Sequence, residues 1–159
     1  MSTENQRVII APHPDDEIIG NWEIITKYDS IVVYTSNVSN LRKEESVSIV
    51  EHTKISKQIF SDDIPYEYVS SPNVTFYMPD PVYETHPEHR KWGAIGEEMF
   101  RRGFDIIFYN TNMTAPYIHE VSDPNAKCDL LSKIYTSQKS LWKYEYKFFL
   151  FEGRNKWLL

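Results

Sequence analysis

VIIAPHPDDE, residues 8 to 17, runs from three consecutive branched apolar residues into a histidine, two prolines and three adjacent carboxylates. A continuous apolar run suits a strand covered on both faces, as in a parallel sheet. The acids that follow suit the opening of a helix, where the dipole favours each exposed negative charge by roughly 0.3 to 1 kcal/mol. That small effect accounts for one carboxylate. It does not account for three beside an imidazole, with no Lys or Arg next to them to offset the repulsion. A bound cation is the natural alternative.

The same strand-then-helix order repeats outward from this junction. Apolar or β-branched runs at 8–11, 31–35, 66–70, 104–109 and 147–151 read as strands. Helical spacing occupies 17–28 (Ile18, Trp22, Ile25), 42–60 (Val47, Val50, Ile55, Ile59), 88–102 (Trp92, Ile95, Met99, Phe100, stopped by Gly103) and 126–142 (Leu130, Ile134, Tyr135, Leu141). Pro72, Pro79 and Pro81 make 70–85 a loop, with a short extra strand at 74–77. The expected fold is α/β: a Rossmann-like, doubly wound, mostly parallel sheet of about five strands with helices on both faces. Ligands of such sheets bind outside the carboxyl ends of the strands, which is where His13 to Glu17 falls.

The 159 residues fit one domain, 1–159, with a real hydrophobic core. Hydrophobic residues at 41% and charged residues at 25% exclude a disordered chain. With 17 basic against 23 acidic residues the net charge is -6, which disfavours sequence-independent nucleic-acid binding because that needs clustered cations. A single cysteine, Cys128, forms no internal disulfide, and the opening MSTENQRVII has neither the basic nor the apolar region of a signal peptide. No apolar run nears the roughly 20 residues that span a bilayer. A cytoplasmic protein without membrane insertion is expected, and its eleven Tyr, eight Phe and four Trp are compatible with an oligomer.

HPEHR, residues 86 to 90, repeats the His-Pro-acid pattern at the start of another helix. Zinc and similar borderline cations accept imidazole nitrogen and carboxylate oxygen, and a catalytic site commonly uses three protein ligands and keeps one position open. An extended HPDD segment can turn His13 and Asp16 toward one point with Asp15 facing another side, and His89 can reach over from the second loop. Such a His2Asp set admits several first-row metals.

These motifs resemble those of the PIG-L/LmbE-like metal-dependent N-deacetylases. The family's AHPDDE is matched by APHPDDE, with Pro12 inserted, and its HPDH by HPEH at 86–89. RKEE at 42–45 resembles its Arg-x-Glu-Glu helix start, and KIYTSQ at 133–138 its late helix ending in Ser-Gln. The resemblance runs from residue 8 to about 151. It implies one divalent metal, usually zinc, held by His13, Asp16 and His89. Asp15 would be the general base, and His86 would stabilise the oxyanion or help protonate the leaving nitrogen. Glu17 and Glu88 would orient ligands, and Arg42 and Tyr83 would meet substrate. Trp22 is a candidate ring for stacking on a sugar. The implied substrate is a small N-acylated, most simply N-acetylated, amino sugar or conjugate. Two departures bear on the pocket: IIGNWEI has only Gly20 where the family has several glycines, and the chain is near the family's minimum length.

Other readings compete. One is a metal-dependent hydrolase of another bond, such as a modified nucleoside amide or a glycoside. A degenerate, non-catalytic binding module is another, although every expected ligand type is present. A receiver-like signalling domain would need an Asp ending the third strand, where EYVSS stands, and has no use for HPEH. His52 and His119 read as solvated or packed side chains. Trp92, Phe100, Tyr135 and Trp142 read as core, and Cys128 as inert for want of a nearby base.

Overall fold

A computed structural model describes residues 5–111, 121 and 123–137. Five strands form one all-parallel sheet: β1 (Gln6–Ala11), β2 (Ser30–Tyr34), β3 (Ile55–Phe60), β4 (Val74–Pro79) and β5 (Asp105–Tyr109), in the spatial order β3-β2-β1-β4-β5. The helices are α1 (Asp16–Ile19), α2 (Trp22–Lys27), α3 (Asn40–Val47), α4 (Tyr66–Val69), α5 (Pro87–Arg101) and α6 (Pro124–Ile134). None among the described residues is long and apolar enough to cross a membrane.

The continuous apolar runs follow from the two-residue repeat of a strand between two layers. Ile9 and Ala11 of β1 join Ile18, Ile25 and Leu131 of α1, α2 and α6 in one core. Val8 and Ile10, the alternate residues, join Tyr68 of α4 and Trp92 and Met99 of α5 in the other. On this second face α5 lies almost against the sheet. A Cβ on Gly96 would come within 2.8 Å of Met78, and one on Gly93 within 2.6 Å of the Pro81 backbone.

Several expected elements change. The single helix over 17–28 is two short ones broken at Gly20, where a Cβ would stand 2.3 Å from the Tyr109 ring. The helix expected over 42–60 ends at Val47 and tightens into a 3-10 turn at Ser48–Glu51, and its last third is the edge strand β3. Thr53 makes that break without Gly or Pro: its hydroxyl donates to the Ile49 carbonyl at 3.0 Å and accepts from the Ile55 N–H at 3.3 Å. Residues 66–70, expected as a strand, form α4 after Pro65. The strand in that part of the chain is β4, fully buried between β1 and β5. Its prolines frame it rather than break it, because Pro79 ends the strand and the next N–H, that of Asp80, donates to the Tyr109 carbonyl at 2.8 Å. The helix expected over 126–142 starts at Pro124 and ends at Ile134, where Tyr135 leaves the helical backbone. The strand expected over 147–151, residues 138–142 and His119 lie outside the described residues.

Candidate metal centre

The strand order reverses at β1. The chain leaves β1 for α1 and α2 on one face, while it leaves β4, the neighbour of β1, for α5 on the other. Diverging connections open a crevice at the carboxyl ends of these two strands, the usual ligand position in open α/β sheets. His13 to Glu17 follow β1 there, and Glu84 to His89 follow β4.

The first segment is a tight turn closed from both ends. The Asp16 N–H donates to the His13 carbonyl at 3.1 Å, and the Asp16 carboxylate accepts from the His13 N–H at 2.9 Å. Asp15, between them, has φ of 130°, a region that side chains other than glycine rarely adopt. Two neighbours hold it: Glu17 accepts its N–H at 2.8 Å, while Arg42 donates to the Pro14 carbonyl at 2.7 Å and stands 3.5 Å from the Asp15 carboxylate. The second segment is a helix start. His86 caps α5, its Nδ1 accepting the Glu88 N–H at 3.1 Å, and Pro87 occupies the first turn, where a missing N–H costs nothing. His89 then points from the first turn of α5 back toward β1.

The two segments meet in one triangle of atoms. His89 Nε2 lies 3.0 Å from Asp16 Oδ2 and 3.3 Å from His13 Nδ1, and His13 Nδ1 lies 3.4 Å from Asp16 Oδ2. Ligand atoms about 2.0 to 2.1 Å from a four-coordinate divalent ion sit roughly 3.3 Å apart, so the three edges fit one face of such a tetrahedron. His13, Asp16 and His89 could therefore hold a metal ion. Asp15 is outside this group, and His86 stands beside it, its ring 4.6 Å from that of His13.

The charges of the group suit a cation. Burial opposes the Asp16 carboxylate, but the His89 and His13 imidazoles outweigh it and hold Asp16 well below the carboxylate range. Burial likewise opposes a charged His89, yet Asp16 and Glu84 push it up to about 11. Burial and the neighbouring Asp16 raise Asp15 well above its ordinary value, and burial raises Glu17 to about 7. Burial, His13 and His89 push His86 down.

Glu84 is the residue that motif reading passes over. It is buried on the β4–α5 loop, accepts from Thr111 N–H at 2.5 Å and Oγ1 at 2.8 Å, and stands 3.5 Å from Nδ1 of His89. His89 thus turns Nε2 to the site and Nδ1 to a carboxylate, an arrangement that fixes the ring and raises its basicity. No pattern marks Glu84, since it lies in a loop and its partner Thr111 is 27 residues away.

The remaining candidates take separate places. Glu17 is buried and bonded to the Tyr135 hydroxyl as well as to Asp15. Glu88 accepts from Ser36 Oγ at 3.4 Å. Arg42 faces the Pro14–Asp15 turn. Tyr83 is exposed on the β4–α5 loop, its N–H donating to Asp80. Trp22 is a correction: at 6% exposure it packs in the first core with Ile18 and Ile25, so its ring offers no platform for a sugar. Trp92 and Tyr135 are core, as expected, and His52 is exposed at the end of the 3-10 turn. RKEE and KIYTSQ, whose first residues are 91 apart, come together, with Glu45 accepting from Thr136 Oγ1 at 3.0 Å and from the Ser137 N–H at 2.8 Å.

Fold and site thus define a parallel α/β protein with a candidate His-Asp-His metal group at its topological switch point. No protein-family model matches the chain, and neither curated proteins nor solved structures give a match.

Proposed function

We propose that this protein is a zinc-dependent hydrolase that removes an N-acyl group, most simply acetyl, from an amino sugar or amino-sugar conjugate. The reading rests on the resemblance to PIG-L/LmbE-like deacetylases. The observation that carries it is the division of labour within HPDD: His13 and Asp16 join His89 in one ligand triangle, while Asp15 is held out of it by a positive φ and by Arg42. A bound divalent ion supplies Lewis acidity, polarising an amide carbonyl and making water easier to deprotonate.

The chain's own residues do the rest. Asp15 takes the proton from the attacking water as its oxygen bonds to the acyl carbon, and returns that proton to the nitrogen as the C–N bond breaks. The products are a carboxylate and an amine. Burial and Asp16 raise the affinity of Asp15 for this proton. His86 accepts the Glu88 N–H at Nδ1, so a neutral ring carries its proton on Nε2 and donates it to the developing oxyanion. Its lowered pKa keeps it neutral at pH 7.

Asp15→Asn is the test. It should bind metal like the wild type and lose turnover of N-acetylated amino sugars by about 10²-fold or more. An active Asp15→Asn enzyme would sink the assignment of the base.

A further inference from the structure

Glu17 is fully buried, and its Oε2 accepts the N–H of Asp15 at 2.8 Å. A buried carboxylate needs donors for both oxygens, and losing one costs far more there than at the surface. The other oxygen, Oε1, accepts from the hydroxyl of Tyr135, 118 residues further along the chain. Tyr135 is itself fully buried, in the same core as Ile18. Its hydroxyl ties the end of α6 to the turn that carries Asp15 and Asp16.

α6 grips that turn at a second point. Lys127, Leu131 and Tyr135 follow one another by four residues, and the Tyr135 N–H still donates to the Leu131 carbonyl at 2.9 Å, so the three line one stripe. All are buried to within 1% exposure. Lysine is almost never so buried unless paired, and here its ammonium donates at 2.6 Å to the carbonyl of Ile19, the last residue of α1. Such terminal carbonyls have no partner within their own helix. A helix of four residues has no stability of its own, so bonds from α6 decide where it lies.

We infer that Tyr135 is a positioning residue for Asp15, acting through Glu17: its hydroxyl fixes the carboxylate that fixes the Asp15 backbone at its positive φ. Without that hydroxyl a buried oxygen of Glu17 loses its donor, and the carboxylate turns toward other donors at the expense of the Asp15 N–H. That Asp15 serves as a base rests on the deacylase reading. The clamp itself does not.

The test reads the Asp15 amide in ¹H–¹⁵N spectra of the full chain, with zinc and with chelator, beside kcat and KM on N-acetylglucosamine. Tyr135→Phe keeps the ring in the core, and it should move the Asp15 amide proton upfield, as a weakened hydrogen bond does. It should also lower kcat about tenfold, the size of one hydrogen bond to a charged group, and leave KM and zinc affinity within about twofold. In Glu17→Met the connection is already cut, so adding Tyr135→Phe should neither move that amide nor lower kcat further. Leu130→Val, which thins the same core without touching the Glu17 bonds, controls for lost stability. It should lower the unfolding temperature and leave the amide and kcat unchanged. The proposal is overturned if Tyr135→Phe leaves the Asp15 amide in place, if its effect persists in full in Glu17→Met, or if Leu130→Val moves the amide as far. Absence of zinc binding or of turnover in the wild type would sink the deacylase reading alone, because the amide and its response in Glu17→Met still decide the clamp.

Discussion

Asp15 shows what one strained residue accomplishes. A positive φ at a side chain other than glycine costs about 1 to 3 kcal/mol and persists only where the surroundings over-determine it. Here Glu17 takes its N–H and Arg42 holds the preceding carbonyl and stands beside its carboxylate. With that backbone Asp16 joins His13 and His89 in one group while the adjacent Asp15 stays outside it. His13, Asp16 and His89 were legible in the sequence because each lies in a short motif at a strand end. Glu84 was not, since its meaning comes from His89 and Thr111, which only the fold brings to it. Glu84 and Asp16 also set a measurable proton balance. They hold His89 protonated to about pH 11 in the metal-free protein, and a metal-ligating imidazole must be neutral. Metal uptake at pH 7 should therefore release at least one proton, and apparent affinity should rise about tenfold per pH unit between pH 7 and 9. In Glu84→Gln one of the raising influences is gone, so the rise should level off at lower pH. Competition titrations with a coloured chelator at several pH values would show both effects, and a flat wild-type profile would contradict them.

At the scale of elements, legibility followed burial. Strands β1, β2 and β5 announce themselves as apolar runs, and the sheet face of α5 by its spacing. β3 does not, because an edge strand pairs on one side only and its sequence ISKQIF carries polar residues. β4 was legible only in part, as a short extra strand at 74–77 within an expected loop, because its flanking prolines read as breakers although they mark its limits. The close contact of α5 with the sheet then places His89, one turn before Gly93 on the same helix. Gly93→Ala would drive a Cβ into backbone atoms of Pro81 and Asp80, at 2.6 and 2.9 Å, which cannot rotate away. We expect a loss of about 1 to 3 kcal/mol in denaturant unfolding, with weaker metal binding as α5 lifts. Gly103→Ala is the control. It sits at φ of 95° with nothing within 4 Å of an added Cβ, so it should cost stability through backbone strain alone and leave metal affinity unchanged. Equal loss of metal affinity in both variants would show that α5 does not transmit the effect.

For the molecule as a whole, the candidate site joins two connections that leave the sheet on opposite faces, so its charge state should register in global stability. In the metal-free protein, the folded pKa of Glu17, raised from 4.5 to about 7, favours the native state below 4.5, and that contribution is lost as pH rises to about 7. His89, raised from 6.5 to about 11, contributes fully below pH 6.5 and loses its contribution as pH rises toward 11. Both act in the same direction, so the metal-free protein should become less stable between pH 5 and 9. Metal binding opposes this trend, since each displaced proton makes uptake stronger as pH rises. At free metal a hundred times Kd the native state gains about 2.7 kcal/mol. Thermal unfolding with chelator and with excess zinc, at pH 6 and pH 8, should therefore show Tm falling with pH without metal and a larger zinc-induced rise at pH 8. His89→Ala should abolish the zinc-induced rise at both pH values. A zinc effect of equal size in that variant would place metal binding elsewhere and dissolve the link between the two connections.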